Sequence, residues 1–247
     1  MTRRFEGRSV IVTGAASGIG LATATRFGRE GARVVVADLD AEHAAAAAKS
    51  IETAGAPATW ACVCDVSNEQ QVAACVAGTV ERFQSVDVVV NNAGLMTFKS
   101  LVDLTADDWR RVLDVDLLGA FFFVRESFRR VKAGGEIVNV ASIHAVETEP
   151  DVAPYAAAKA ALVSLTRSAA IEGKPLGIRV NAVLPGAVDT PMLWNNPNVK
   201  SGVEKIDRGD VGTPDDLAAA IAFLASDDAK FVQGAALVVD GGRLDRL

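Results

Sequence analysis

The chain has 247 residues, half of them hydrophobic, with a formal net charge of −6. That length suits one large α/β domain or two small ones, with a sizeable core. An acidic balance without a basic cluster argues against nucleic acid and anionic membranes as partners, and no apolar run approaches bilayer-spanning length.

In chain order, Arg8-Ser-Val-Ile-Val-Thr13 reads as a short apolar strand, followed at once by Gly14-Ala-Ala-Ser-Gly18-Ile-Gly20 and a helix through about Glu30. Glycines between a strand and a helix permit a tight turn and close approach of backbone to a pyrophosphate at the positive helix end. The spacing is G-x-x-x-G-x-G rather than G-x-G-x-x-G. The next strand, Arg33–Asp38, ends in an acid. A carboxylate there suits the hydroxyls of an adenosine ribose and repels a 2′-phosphate. No arginine or lysine follows it, and Ala15, Ala16 and Ser17 add none, so NAD is expected over NADP. The plainer role for Asp38 is to cap a helix from Ala41 to Ala54; the preceding glycine turn favours the ribose.

Ala58–Val63 reads as strand three, with Asp65 after it placed to reach an adenine amine, and Asn68–Phe83 as a helix. Val86–Asn91 is strand four, running into Asn91-Asn-Ala-Gly94. A long helix from about Thr105 to Val131 follows, opened by Thr105 as cap and first-turn acids. Phe121, Phe122 and Phe123 cannot all face one sheet, because successive helical residues turn by about 100°. Either some are exposed or another subunit covers them.

Gly135–Ser142 reads as a buried strand, and Pro154 suits the first turn of a helix running on through Ala156-Ala-Ala-Lys159. Tyr155 and Lys159 then lie one turn apart on one face. With the Ser142 hydroxyl they form a proton-transfer constellation. A free phenol has a pKa of about 10, and bringing it near neutrality needs roughly 4 kcal/mol. The Lys159 cation and a positively charged nicotinamide would both favour the phenolate. Strand six is Ile178–Val183. From about 187 to 212 the hydrophobic rhythm fades, which reads as a substrate lid. Thr213 caps a last helix to about Ala225, and Ala235–Asp240 closes the sheet.

Strands alternating with helices predict a doubly wound parallel α/β sheet in one domain over 1–247, with ligand at the carboxyl ends of the strands. Gly14, Asp38, Asp65, Asn91 and Ser142 all fall at such ends. Cys62, Cys64 and Cys75 lack metal spacing and read as small buried residues. His43 and His144 are too few for a histidine metal site, so no metal is expected. Odd, unpaired cysteines and the absence of an apolar signal core suit a soluble cytoplasmic protein.

Thr13–Gly20, Cys64-Asp65-Val66, Asn91–Gly94, Ser142, Tyr155-x-x-x-Lys159, Pro185-Gly186 with Thr190 and Val239–Gly242, in this order, resemble the short-chain dehydrogenase/reductase family over nearly the whole chain. The resemblance implies a Rossmann-like sheet of seven parallel strands, hydride transfer between an alcohol carbon and NAD, and a homotetramer, here through the helices at about 105–131 and 153–172. It implies Tyr155 as acid/base, Ser142 orienting the substrate oxygen and Lys159 binding the nicotinamide ribose. Cofactor contacts are implied for Gly14, Ser17, Gly18, Ile19, Gly20, Asp38, Asp65, Val66, Asn91, Ala93, Gly94, Pro185, Gly186, Val188 and Thr190.

One position departs. Asp116 stands where the family carries an asparagine that helps relay a proton from the lysine. Ionised, it lacks the amide donor and adds a negative charge near Lys159. A substrate wall is expected from His144 and Glu147, with Trp194, Asn195 and Asn196 on the lid. Such side chains suit a sugar or polyol. A cyclic or steroid-like alcohol is the alternative, and a non-catalytic NAD(H)-binding sensor is the reading from another class.

Overall fold

The computed structural model describes residues 3–130 and 134–244. Among them, strands β1 (Ser9–Thr13), β2 (Arg33–Asp38), β3 (Ala58–Val63), β4 (Val88–Asn91), β5 (Glu136–Val140), β6 (Arg179–Pro185) and β7 (Ala236–Val239) form one sheet. Its order is β3-β2-β1-β4-β5-β6-β7, and every pairing is parallel. β6 reaches two residues beyond the expected Val183, because Leu184 and Pro185 still pair with Val238 and Val239 of β7.

The helices are α1 (Gly18–Arg29), α2 (Ala41–Thr53), α3 (Glu69–Phe83), α4 (Ala106–Leu113), α5 (Gly119–Arg130), α6 (Ala153–Gly173), α7 (Pro191–Asn195), α8 (Pro197–Ser201) and α9 (Pro214–Leu224). The period of two along each strand sends alternate side chains to opposite faces. Val10, Val12, Val34 and Val36 pack with Phe27 of α1, Ile51 of α2 and Ile221 of α9. Ile11, Val35, Val89 and Ile137 pack on the other side with Val76 of α3, Phe123 of α5 and Ala169 of α6. Covering both faces explains why the strands read as continuous valine-rich runs.

The long helix is not uniform as expected. Between α4 and α5 lies one π turn, Asp114–Leu118, closed by the Gly119 N–H donating to the Asp114 carbonyl five residues back. The expected end at Val131 lies outside the described residues. Phe123 is fully buried, while the Arg125 guanidinium lies 5.3 and 5.4 Å from the rings of the half-buried Phe121 and Phe122. Cys62, Cys64 and Cys75 are buried free thiols. No described helix is long and apolar enough to cross a membrane.

The sheet order reverses between β1 and β4, so the loops after these two strands diverge and leave a crevice at the carboxyl edge. Val188, Thr190, Met192, Leu193, Asn196 and Glu204 of the segment 187–212 border it. The segment's short helices α7 and α8 are capped by Thr190 and Asn196, and the Thr190 side chain lies where a β-carbon on Gly18 would come within 3.2 Å.

Candidate active site

The crevice is a cavity of about 480 Å³ at the carboxyl ends of the strands. From the first turn it is bordered by Gly14, Ser17, Gly18 and Ile19; from the ends of β2 and β3 by Asp38, Asp65 and Val66; and after β4 by Ala93 and Gly94. Ser142, His144, Tyr155 and Lys159 form a further wall, and Pro185, Gly186, Val188 and Thr190 border it from the end of β6 and the segment after it.

The glycine turn fits a pyrophosphate. Gly14 and Gly18 hold φ of +61° and +50°, a conformation other residues rarely adopt. Ser17 caps α1 by position but makes no side-chain cap bond, leaving its hydroxyl uncommitted at the start of α1. Gly20 does not border the cavity as expected. A β-carbon there would sit 2.1 Å from the Gly14 carbonyl oxygen, so Gly20 lets the helix begin directly beneath the turn.

At the end of β2, Asp40 rather than Asp38 caps α2, accepting from the backbone N–H groups of Glu42 and His43 at 2.9 Å each. Asp38 is therefore not the helix cap. Its Oδ2 accepts from the Ala16 N–H at 3.0 Å, which fixes the carboxylate against the glycine turn. This donor set, a fixed carboxylate with no cation beside it, suits the hydroxyls of an unphosphorylated ribose.

The loop after β4 is pinned by Thr13, whose Oγ1 accepts from the N–H groups of Asn92 and Ala93 at 2.9 Å each. Asn91 does not enter the main cavity. It turns inward, its amide donating to Asn139 Oδ1 at 2.8 Å, and Asn139 in turn donates to Thr166 Oγ1 at 2.9 Å. A terminal polar residue of a central strand thus serves the interior, a placement that periodicity alone does not distinguish from the crevice side.

Ser142 lies two residues beyond β5 and opens a short 3₁₀ turn over Ile143–Ala145, its Oγ accepting from the His144 N–H at 3.2 Å. Tyr155 and Lys159 project from the first turns of α6, both buried, and the Lys159 ammonium is 5.4 Å from the Tyr155 ring. Ser142 and Tyr155 border the same cavity, and the Ser142 hydroxyl favours the ionised phenol. Lys159 donates to the Val140 carbonyl at 3.1 Å and pairs with Asp116 Oδ2 at 3.1 Å. Asp116 does not border the main cavity; its Oδ1 accepts from the Leu95 N–H at 2.9 Å, tying the π turn to the loop after β4.

Burial pushes the Tyr155 phenol up, and the Asp116 charge adds to it; Lys159 and the Ser142 hydroxyl pull the other way without prevailing. The lysine by itself does not outweigh the burial of the phenol. Burial likewise pulls Lys159 down, but Asp116 and the tyrosine outweigh it and hold the ammonium charged. Burial raises Asp116 despite the lysine.

The expected polar wall is only partly present. His144 borders the cavity, its ring centroid 5.7 Å from that of Tyr155, and burial keeps its pKa below the usual histidine value. Glu147 is exposed and lies off the cavity, because the 3₁₀ turn carries it to the surface. Trp194 also lies off the cavity, its indole donating to Asp189 at 2.6 Å beneath the Arg208 guanidinium. Residues not singled out from the sequence take their place: apolar Leu95, Met96, Met192 and Leu193, and the carboxyl of Glu204. Asn196, expected on the lid, is buried and borders the cavity. Glu204 lies in a stretch without hydrophobic rhythm, so no periodic signal marks it.

Residues 14–243 match the adh_short_C2 family, described as enoyl-(acyl carrier protein) reductase. The chain is 43% identical to cis-4-hydroxycyclohexanecarboxylate dehydrogenase of Sinomonas cyclohexanicum, over 98% of each chain. It is 41% identical to 3beta-hydroxysteroid dehydrogenase 1 of Eggerthella lenta, covering 96% of this chain and 94% of that one. It is 42% identical to L-rhamnose 1-dehydrogenase (NAD(P)(+)) of Azotobacter vinelandii, covering 95% and 96%. A crystal structure of a dehydrogenase/reductase from Sinorhizobium meliloti superposes with a TM-score of 0.91 at 35% identity, over 98% of this chain and 96% of that one. With the parallel seven-stranded sheet and near full-length similarity to such enzymes, the chain belongs to the short-chain dehydrogenase/reductase family of oxidoreductases.

Proposed function

We propose that the protein is an NAD-dependent dehydrogenase of secondary alcohols. The observation that carries this reading is that Ser142, Tyr155 and the buried Lys159 converge on one cavity wall, the Lys159 ammonium 5.4 Å from the Tyr155 ring. Bound NAD would supply the hydride acceptor and a positive ring. Ser142 would hold the alcohol oxygen, and Tyr155 would take its proton as the hydride departs from carbon. Lys159 would hold the phenolate and the nicotinamide ribose. Gly14, Ser17, Gly18 and Ile19 would cradle the pyrophosphate, with Asp38 on the adenosine ribose and Asp65 at the adenine. Val66, Ala93, Gly94, Pro185, Gly186, Val188 and Thr190 would line the cofactor's path.

The substrate end is mixed. Leu95, Met96, Met192 and Leu193 suit a ring's apolar faces, while His144, Asn196 and Glu204 suit further hydroxyls. This supports a hydroxylated ring, a sugar or an alicyclic alcohol, as substrate class. The relatives named for a cyclohexane derivative, a steroid and rhamnose lend support to a ring. We take the chain as one domain with 187–212 as its lid, working in the cytoplasm. Assembly as a homotetramer through α4–α5 and α6 would cover Phe121, Phe122 and the exposed Ile171.

The test is NADH formation, followed by absorbance, with NAD or NADP and a panel of sugars, polyols and cyclic alcohols. Turnover with NAD that falls by about 10²–10⁴-fold in Tyr155→Phe supports the reading. NADH binding without turnover of any alcohol at any pH would instead favour a sensor.

A further inference from the structure

The charged side chains bordering the cavity are, among the described residues, Asp38, Asp65, Lys159 and Glu204. Asp38 and Asp65 stand at the adenosine end, and the one cation, Lys159, is committed to Asp116 and the Val140 carbonyl. At the lid end Glu204 therefore faces the cavity with no free cation beside it. Its carboxyl is held on two sides. Arg243 from the C-terminal segment donates to Oε1 at 2.5 Å, and the buried Asn196 amide donates to Oε2 at 3.1 Å. The same amide donates to Glu149 Oε1 at 3.3 Å. The Asn196 amide therefore bridges the two carboxyls and brings Glu149 against Glu204.

Resting on the dehydrogenase reading, we propose that Glu204 is a specificity-determining residue, its clamped carboxyl admitting alcohols that carry a further neutral hydroxyl and turning away those that carry a carboxylate or phosphate. The Arg243 charge is neutralised by Glu204 and is not free to receive an anion. A neutral hydroxyl, by contrast, can donate to the ionised carboxylate or accept from its protonated form, so it is served in either state.

The strength of the exclusion depends on pH. Burial and the Glu149 carboxylate push Glu204 up to about 7, against the pull of Arg243. The charged groups facing it are Glu149 from the segment after β5 and Arg243 from the C-terminal segment, and His144 borders the same cavity. Lys200 of the same lid is turned to Asn195 Oδ1 at 3.1 Å. Below neutrality Glu204 gains its proton and meets an anionic substrate without charge of its own; above neutrality it is ionised beside the Glu149 carboxylate, offset by one arginine.

The experiment compares KM for cyclohexane-1,4-diol and for 4-hydroxycyclohexanecarboxylate on both sides of neutrality. The diol KM should stay flat, while the carboxylate KM should be higher throughout and rise by about tenfold as pH passes about 7. Glu204→Gln should abolish that rise. Glu149→Gln, which leaves the cavity wall intact, should move its onset to lower pH, since the neighbouring charge that holds Glu204 up is gone. Equal KM values at every pH overturn the proposal. So does a preference for the carboxylate that vanishes in Arg243→Gln, which would show the arginine swinging from Glu204 to the substrate. If neither compound turns over, the dehydrogenase reading is tested by the wider panel of alcohols. The charge preference is then read from thermal shifts of the NADH-loaded protein with each compound, where stronger stabilisation by the carboxylate overturns it and stronger stabilisation by the diol supports it.

Discussion

Lys159 Nζ lies 3.1 Å from Asp116 Oδ2, with side-chain exposures of 4% and 0%, so the lysine set to support Tyr155 is already paired with a buried carboxylate. The aspartate raises the phenol as well as the ammonium. Asp116→Asn keeps the shape and a carbonyl to accept from Leu95, but removes the charge. The phenol should then ionise more readily, and the acid limb of the pH–rate profile for alcohol oxidation should move to lower pH by about one unit. An unmoved limb would show that the aspartate is already protonated in the working enzyme. Asp116→Ala instead leaves the buried ammonium without a counter-charge, only the Val140 carbonyl remaining to it, and urea denaturation should show a loss of about 3–5 kcal/mol.

The cradle at the carboxyl edge was readable because a buried parallel sheet leaves few places for polar residues. Gly14, Asp38, Asp65 and Ser142 stood out as breaks at the ends of valine runs, and the structure brings all four to one cavity. Asn91 stood out in the same way yet turns inward, since a strand end offers two faces and sequence gives no sign of the buried Asn139 and Thr166 awaiting it. The π turn at Asp114–Leu118 was invisible because its residues satisfy the helical pattern on either side. The substrate wall was the least legible. Lid positions follow no period, so Glu204 and Met192 looked no different from the exposed Glu147.

The Asp38 carboxylate is fixed by the Ala16 N–H, and Leu39 beside it is 69% exposed. Replacing the acid and supplying a cation should therefore invert the cofactor preference without disturbing the fold. For Asp38→Ser with Leu39→Arg, the NAD-to-NADP ratio of kcat/KM should swing by roughly a hundredfold, about 2.8 kcal/mol. Serine still offers an oxygen to Ala16. A ratio that stays put would place the ribose elsewhere.

Gly94 is required by crowding rather than by backbone conformation. A β-carbon there would lie 2.8 Å from Asp116 Oδ2 and 3.2 Å from Lys159 Nζ. Neither group has room to retreat in a packed interior. Gly94→Ala should cost about 1–3 kcal/mol of stability and lower kcat more than it changes the KM for NAD. In an Asp116→Ala background the stability cost should shrink, because the clash and the ion pair share an atom. An additive double variant would locate the strain in the backbone instead.

Glu204 also sets a pH dependence of stability that differs in sign from that of an ordinary paired carboxylate. Its folded pKa of about 7 lies above the ordinary value of 4.5, so the native state binds this proton more tightly than the unfolded chain. Its contribution is fully present below the lower value and is lost as pH rises through the higher one. His144 works in the opposite direction. Burial lowers its folded pKa, so its proton leaves the native state first and stability is regained as pH rises toward the unfolded value of 6.5. The two slopes oppose each other in the wild type, and a single melting profile would not separate them. The difference between Glu204→Gln and wild type would. The glutamine variant retains the His144 slope and lacks the carboxyl one, so its Tm relative to wild type should climb between about pH 5 and about pH 7 and level off above that. A difference that stays constant over this range would mean that Arg243 holds Glu204 ionised throughout.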